Sequence, residues 1–251
     1  MSNIKVAVVI PARLASTRFP RKVLADIHGK PLIQHVYRGC HAEGVSEVFV
    51  VAEDDEIVEV VEGFGGIAIN TGQASNVIER CSMAANHELL DGFGIIVIVQ
   101  GDEPMVKPGM IERAIEALAD GNHEITCCYK ELDEGESPYN VNIIKAVLKN
   151  RNFEFGWFSR APIPVLSPEK DYADTHITYY KQVCIMAFRS YVLAQYRKLP
   201  ICSSEAAEGI DLLRFLENGI EIGAVFSPFR SYAVDVPEDL DKVRKWMKKD
   251  G

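Results

Sequence analysis

Four cationic side chains lie within ten residues near the start of the chain, in the loop that follows the apolar run 6–10 and Pro11. A nucleoside triphosphate carries several negative charges, and one charge pair about 4 Å apart is worth about 4 kcal/mol at an effective dielectric near 20. The alternative is a solvated loop whose cations form surface ion pairs worth about 0–1 kcal/mol each. Neither G-x-G-x-x-G nor G-x-x-x-x-G-K-[ST] occurs, so a phosphate would be held by side chains and hydroxyls. The loop contains Arg13, Ser16, Thr17, Arg18, Arg21 and Lys22.

A carboxylate follows another apolar run further along the chain. The run 95–99 ends in Q-G-D-E-P, which carries Asp102. A carboxylate beside a bound phosphate repels it unless a divalent cation stands between them, and Mg²⁺ is commonly held by one or two carboxylates plus substrate phosphates. For a lone D-E-P segment, the commoner role of the aspartate is in an acidic turn at the end of a strand or as a helix cap.

A second carboxylate, Asp235, occurs in Y-A-V-D-V-P-E-D-L. The pattern predicts that Asp235 ends a short apolar strand and precedes a helix. N-capping of that helix is therefore a strong alternative to metal binding, and Pro237 as first helical residue favours it. Asp102, Asp235 and the cationic loop together are more specific than any one of them.

Short apolar runs rich in Val and Ile at 6–10, 48–51 and 95–99 predict the strands that position these side chains. Between them lie stretches with helical spacing, such as Leu32 with Val36. This alternation indicates βαβ units and an α/β fold whose mostly parallel sheet is buried on both faces. Ligands bind at the carboxyl ends of strands in such sheets, where the cationic loop and Asp102 would meet.

The middle of the chain has a different pattern. From about residue 124 it suggests less regular β structure, with strands near 125–129, 142–148, 153–158 and 183–188, and the Pro-rich segment A-P-I-P-V-L-S-P predicts an extended arm. Helical patterning returns at 205–217 and 237–249.

Composition limits the classes of protein to consider. A length of 251 residues with 47% hydrophobic residues is typical of a globular chain. The formal net charge of −9 argues against bulk binding to nucleic acid or anionic membranes. The six cysteines show no zinc spacing and suggest a reducing compartment. The first apolar run is too short for a signal peptide or membrane span, so we expect a soluble cytoplasmic protein.

These segments resemble the bacterial 3-deoxy-manno-octulosonate (Kdo) cytidylyltransferases, also called CMP-Kdo synthetases. The similarity is collinear over nearly the whole chain, at I-P-A-R-L-A-S-T-R-F-P-R-K-V-L, V-Q-G-D-E-P, F-S-R-A-P-I-P and V-D-V-P-E-D-L. It implies a Rossmann-like nucleotidyltransferase fold with a smaller β-rich region, in a single domain spanning 1–251. Roughly 1–123 and 190–251 would form the nucleotide-binding core, and 124–189 the acceptor and dimerisation region.

The resemblance also implies an activity. Such an enzyme transfers CMP from CTP to an anionic acceptor, Kdo or a Kdo-like sugar acid, uses Mg²⁺, releases pyrophosphate and works as a homodimer. The matching magnesium ligands are Asp102 and Asp235, and the expected catalytic residues are Arg13, Arg18, Lys22 and Asp102. The expected substrate-binding residues are Pro11, Ala12, Ser75, Arg80, Gln100, Arg160, Gln182 and Asp211.

Three segments depart from the family pattern. A-S-N-V-I-E-R at 74–80 replaces S-G-T-[DE]-R and is more similar to the D-V-L-x-R segment of spore-coat-type cytidylyltransferases. The segment 181–186 replaces K-H-x-G-x-Y and loses its His and Tyr, and 210–214 replaces L-E-Q-L-R. An unpaired buried polar group costs about 1–3 kcal/mol, so we expect sugar recognition to have changed.

Other residues leave alternatives open. Arg160 suits bidentate binding of an acceptor carboxylate or phosphonate, or equally an ion pair within the fold. Arg21 stands where the family usually has Gly and either supports an anionic substrate or faces water, the second being favoured. Three histidines are given no role in the site: His35, His87 and His176.

Two further hypotheses accompany Kdo transfer. One retains CMP transfer and changes the acceptor to a phosphonate, another small acid or a sugar phosphate. The other is a catalytically inactive nucleotide-binding protein, which the presence of Lys22, Asp102 and Asp235 disfavours.

Overall fold

Four parallel strands form one half of the central sheet in the computed structural model, which describes residues 4–121, 123–149, 153–169, 177–230 and 232–248. Their order is β5, β4, β1, β6, and all neighbouring pairs are parallel. All residues of β1 after its first are buried, as expected for a strand covered on both faces. The strands are β1 (Lys5–Pro11), β4 (Glu47–Ala52), β5 (Ile67–Asn70) and β6 (Phe93–Val99).

The second half of the sheet is mixed. β10 runs antiparallel to both β6 and β7, and β11 runs parallel to β7. β9 follows β11, and β8 pairs with β9 and also with the start of β10. The last five strands therefore close into a ring that shares β10 with the main sheet. They are β7 (Ile125–Glu131), β8 (Lys145–Lys149), β9 (Glu154–Ser159), β10 (Tyr180–Arg189) and β11 (Ile222–Phe226).

Helices cover both faces of the sheet and bury two apolar clusters against it. Outside the sheet, β2 (Asp26–Ile27) and β3 (Lys30–Pro31) form a small hairpin. The α/β fold class expected from the apolar runs is confirmed. The helices are α1 (Leu32–Gly39), α2 (Asp55–Gly63), α3 (Val77–Ala85), α4 (Pro108–Asp120), α5 (Ser190–Ala194), α6 (Ser203–Glu208), α7 (Leu212–Glu217) and α8 (Pro237–Met247).

One sequence prediction about elements is confirmed in two pieces and another is wrong. The helical pattern at 205–217 forms α6 and α7, because α6 ends where Gly209 takes a left-handed conformation with φ 60°. The described residues before α8 do not form a strand, since Val234 makes a single backbone bond to Asp102 rather than a ladder. The Pro-rich segment 161–168 has neither helix nor strand, and residues 170–176 lie outside the described part.

No helix in the described part of the chain combines the length and apolar character needed to cross a bilayer.

Candidate active site

A cavity of about 1390 Å³ opens at the carboxyl ends of β1 and β6. Every residue predicted for the site lines it, although these residues are spread over more than two hundred positions of sequence. The predicted residues along its wall are Pro11, Ala12, Arg13, Arg18, Lys22, Ser75, Arg80, Gln100, Asp102, Arg160, Gln182, Asp211 and Asp235.

The Lys22 ammonium joins the two carboxylates that the sequence singles out. Its Nζ lies 2.5 Å from Asp102 Oδ2 and 3.3 Å from Asp235 Oδ1. The side chains of Lys22 and Asp102 are only 15% and 16% exposed, so this pair is shielded from water. One cation site between two carboxylates is thus built into the cavity wall.

Two elements bring these carboxylates together. The backbone N–H of Val234 donates to the carbonyl of Asp102 over 2.9 Å, which fixes the chain before α8 against the end of β6. The N-cap of α8 is Val236, and the Asp239 carboxylate accepts from the backbone N–H groups of Asp235 and Val236. The capping role considered for Asp235 is therefore not observed, and its side chain faces the cations instead.

The cationic loop contributes a second contact. Arg18 donates to Asp235 Oδ1 over 3.0 Å and to Asn142 Oδ1 over 3.3 Å, while half of its side chain stays exposed. Arg13 lines the same cavity and is exposed. Because these guanidinium groups remain accessible at the mouth of the cavity, they are placed to meet an incoming polyanion.

The donor set fits a divalent cation. Asp102 Oδ1 is buried and has no hydrogen-bond partner among the described residues, which is costly for a carboxylate oxygen. With Asp235 close by, the two residues offer the hard oxygen ligands that Mg²⁺ prefers. In this structure the Lys22 ammonium pairs with both carboxylates and partly neutralises their negative charge.

Arg21 points away from this site. It forms a two-armed ion pair with Glu56 on the surface, and it does not line the cavity. Its φ of 61° lies in the left-handed region, which explains why glycine is favoured at this position of the family pattern. The interpretation of Arg21 as a solvent-facing residue agrees with this geometry.

The divergent segment 74–80 forms the start of α3 at one wall of the cavity. Asn76 caps the helix, accepting from the Glu79 N–H over 2.8 Å, and the Ser75 N–H donates to the Glu79 carboxylate over 2.7 Å. Arg80 is buried and binds Glu53, Thr71 and Gly72. The Arg80 guanidinium therefore fixes the loop after β5 through Thr71 and Gly72, and Arg80 also lines the cavity.

Arg160 is held by the fold on the opposite wall. Its side-chain nitrogens donate to backbone carbonyls of Val141, Glu208 and Gly209, and its own N–H donates to the Glu208 carboxylate. The Arg160 guanidinium thus binds backbone carbonyl groups within the fold, while Arg160 also lines the cavity.

Gln182 and Asp211 also face the cavity from this side. Gln182 Oε1 is buried and, within the described residues, has no hydrogen-bond partner. Asp211 accepts from the backbone N–H of Ile78 over 3.2 Å. Burial raises the pKa of Asp211 to about 6, and the nearby Glu205 carboxylate adds to the rise.

Sequence reasoning missed several side chains on the cavity wall. Asn142 binds Arg18 but lies in a segment predicted only as strand. Lys130 and Lys181 project from neighbouring strands and are paired with Asp133, and Lys181 is also paired with Glu136. These residues come from β7 and β10, whose pairing the sequence did not reveal, so no local signal could have grouped them.

The histidines lie elsewhere. His35 bonds to the Ile27 carbonyl and His87 accepts from the Leu89 N–H, while His176 lies outside the described residues. Within the described ranges, one group of three residues could hold a metal: His123, Glu154 and Glu221. None of these three lines the cavity, and the Lys149 ammonium lies 3.2 Å from Glu154 and 3.5 Å from Glu221.

Comparison with known proteins agrees with this geometry. The family model described as "Cytidylyltransferase" matches residues 7–222. The chain belongs to this cytidylyltransferase family. A 3-deoxy-manno-octulosonate cytidylyltransferase of Geobacter sulfurreducens is 37% identical over 255 residues, which is 97% of this chain and 99% of that protein. The enzyme of the same name from Anaeromyxobacter dehalogenans is 39% identical over 242 residues, or 95% of this chain and 96% of that protein.

Solved structures extend the comparison. The structure of CMP:2-keto-3-deoxy-manno-octonic acid synthetase complexed with CTP matches with a TM-score of 0.87 and 33% identity, covering 98% of this chain and 100% of that one. A cytidylyltransferase from Leptospira borgpetersenii shares the fold, with a TM-score of 0.63 at 14% identity, covering 98% of this chain and 88% of that one. The cytidylyltransferase described here thus has the nucleotidyltransferase architecture expected from its sequence.

Proposed function

We propose that this cytidylyltransferase transfers CMP from CTP to Kdo, with release of pyrophosphate. The observation that carries the proposal is the Lys22 ammonium held between Asp102 and Asp235 in a cavity edged by Arg18. Relatives at 37–39% identity over nearly the full length are named for this reaction.

The reaction needs charge neutralisation more than covalent chemistry. An acceptor hydroxyl releases its proton to water as its oxygen bonds to the α-phosphorus of CTP, and the bond from that phosphorus to the bridging oxygen of pyrophosphate breaks. Negative charge builds on the departing pyrophosphate. Lys22, Arg18 and Arg13 line the cavity as cations that can neutralise it, and preorganised charges of this kind supply a large part of catalysis in water-excluded sites.

Mg²⁺ is the divalent cation that we propose for the site. Asp102 and Asp235 would hold it, so Asp102 Oδ1, which has no hydrogen-bond partner among the described residues, would become a metal ligand. When bound, the ion supplies Lewis-acid polarisation of the phosphates and charge neutralisation. Lys22 is then free to turn from the two carboxylates toward the triphosphate.

The cavity divides into two sides in this proposal. The segment 75–80 and Gln100 would contact the nucleoside, and Gln182 and Asp211 would contact the acceptor. An acceptor with several hydroxyl groups suits this side, because no described residue donates to the buried Gln182 Oε1, and Asp211, whose Oδ2 accepts from Ile78, offers further acceptor capacity. Arg160 would shape the acceptor side through the carbonyls that it organises.

We also propose the wider organisation implied by the resemblance. The whole chain forms one domain, with 1–123 and 190–251 as nucleotide-binding core and 124–189 as acceptor and dimerisation region. A homodimer in the cytoplasm is the proposed state. The acidic charge of −9 supports a small-molecule acceptor over nucleic acid or anionic membranes.

A pyrophosphate-release assay with a panel of acceptors tests the proposal. The protein is incubated with CTP and Mg²⁺, and with Kdo, a small phosphonate or a sugar phosphate as acceptor. We expect Kdo-dependent release of pyrophosphate, with CMP-Kdo identified by mass spectrometry. Release of pyrophosphate with another acceptor but not with Kdo would contradict Kdo as the acceptor and assign that other acceptor class to the enzyme. No release with any acceptor, despite CTP binding, would indicate an inactive nucleotide-binding protein.

A further inference from the structure

A buried polar cluster lies behind the cavity wall, away from the groups assigned to catalysis. Arg214 donates to both carboxylate oxygens of Glu205, over 2.7 and 2.6 Å. The Arg214 guanidinium also stacks over the ring of Tyr196 at 4.1 Å from the ring centroid. Tyr196 is fully buried, and the other two residues are 6% and 7% exposed. A charge pair so deeply buried is costly to desolvate, so it is a weak source of stability.

The cluster connects to the nucleotide side through one hydroxyl group. Tyr196 Oη donates to Glu205 over 2.9 Å and accepts from the Asn76 amide over 3.1 Å. The other end of the Asn76 side chain caps α3. Because both ends of this amide are used, the position of Tyr196 sets the orientation of the helix cap that lines the cavity.

A second connection runs in parallel. Asp211, at the start of α7 and near Arg214 and Glu205, accepts from the N–H of Ile78 in the first turn of α3. The start of α3 is thus tied at two points to the α6–α7 pair, which contributes to the acceptor side of the cavity through Gly209, Ile210 and Asp211.

We propose that Tyr196, Glu205 and Arg214 are positioning residues that set the affinity for CTP by fixing the start of α3 through Asn76. The proposal rests on the proposed function, which places segment 75–80 on the nucleotide side. It adds that CTP binding depends on residues that do not touch the cavity, since Tyr196, Glu205 and Arg214 are absent from its lining. It also predicts that the acceptor-side helices and the nucleotide side are energetically coupled.

Tyr196→Phe is the decisive variant, because it removes only the hydroxyl that joins Asn76 to Glu205. The readout is the dissociation constant of CTP with Mg²⁺, measured by calorimetry on the full chain without acceptor. We expect it to rise about three- to tenfold, the range of one neutral hydrogen bond. Asn76→Ser retains a capping oxygen and loses the amide donor, and should produce a similar rise. The double variant should bind CTP no more weakly than the single variant with the lower CTP affinity, since both changes break the hydrogen bond between Asn76 and Tyr196.

Tyr37→Phe is the matched control. Tyr37 is 8% exposed and its hydroxyl bonds to the backbone of Ile67, away from the cavity lining. Its loss should lower thermal stability and leave the CTP dissociation constant within about twofold of wild type.

A Tyr196→Phe variant that loses stability but binds CTP like wild type would overturn the proposal, as would fully additive effects in the double variant. If Tyr196→Phe does not fold, Glu205→Gln decides by the same criterion, because it weakens the link to Tyr196 and Arg214 without changing a residue of the cavity lining. The outcome is separable from that of the acceptor assay, because the CTP dissociation constant is read without any acceptor. A wild-type chain that binds CTP but does not use Kdo would contradict only the proposed acceptor.

Discussion

Asp211 combines burial, a backbone donor and a neighbouring carboxylate. Its pKa is raised from the ordinary value of 3.8 to about 6, chiefly by burial. Folding therefore favours the protonated acid. The stability that comes from the protonated form is present below pH 4 and is lost as the pH rises toward 6, where the folded protein must hold a buried negative charge.

Asp211→Asn tests this linkage. The amide oxygen can still accept from the Ile78 N–H, but the variant has no charge to bury. We expect its melting temperature to exceed that of wild type above pH 6, and the difference to shrink as the pH falls from 6 toward 4. Thermal unfolding of both proteins across pH 4–8 measures this. A difference that does not change with pH would show that Asp211 does not titrate in this range.

The sequence predicted which charged residues form the site, but not all of the residues that hydrogen-bond to them. Charge and strand-end position pointed to Lys22, Asp102 and Asp235, which the structure joins within 3.3 Å. The partner of Arg18 on the middle region, Asn142, lies 124 residues away and no pattern linked them. Contacts of this kind depend on which strands pair, and hydrophobic periodicity does not encode that choice.

At the scale of elements, the end of β6 approaches the end of β1 very closely. A Cβ at Gly101 would lie 2.6 Å from the backbone oxygen of Pro11, a contact that no side chain can tolerate without a shift of the backbone. Gly101 immediately precedes Asp102, so the geometry of this approach sets the position of the carboxylate. The glycine in Q-G-D-E-P therefore has a steric reason.

Gly101→Ala should destabilise the protein by roughly 1–3 kcal/mol and lower kcat at least tenfold by displacing Asp102. The control is Gly94→Ala within β6, where the added Cβ meets only the exposed Ile4 side chain, at 2.7 Å from Cγ2 and 3.9 Å from Cβ, and no backbone atom within 4 Å. Chemical denaturation and pyrophosphate release measure both effects. Equal losses of activity in the two variants would contradict the role given to the β1–β6 contact.

Prediction of elements succeeded where periodicity was strong. The apolar runs at 6–10, 48–51 and 95–99 are all strands, and their continuous hydrophobicity identified them as buried. The helical pattern at 205–217 is present but interrupted, because one glycine in the left-handed region separates two short helices. Helical spacing continues across such a break, so the pattern alone could not reveal it.

At the scale of the whole molecule, two strands join the parts that the resemblance distinguishes, because β10 of 124–189 pairs with β6 and β11 of 190–251 pairs with β7 and β9. One edge of β10 pairs with β7 from Tyr180 to Phe188, and the other edge pairs first with β8 and then, from Ile185, with β6. The register with β7 shifts between Val183 and Met186, beside the cavity. Such bulges commonly re-aim side chains next to active sites.

This continuity predicts cooperative unfolding. We expect a single calorimetric transition, because melting the ring would strip β10 from the main sheet and expose both apolar clusters. CTP with Mg²⁺ should shift the whole transition upward. Two resolved transitions, with only one shifted by nucleotide, would show that 124–189 folds independently of the core.

The central claim is that Asp102 and Asp235 hold a divalent cation on a CTP gripped by Lys22 and Arg18. Binding of Mn²⁺, used in place of Mg²⁺ and followed by electron paramagnetic resonance in the presence of CTP, tests it most directly. We expect Asp102→Asn and Asp235→Asn each to weaken Mn²⁺ binding to the CTP complex at least tenfold, while circular dichroism shows an intact fold. Mn²⁺ binding of wild-type strength in both variants would contradict it.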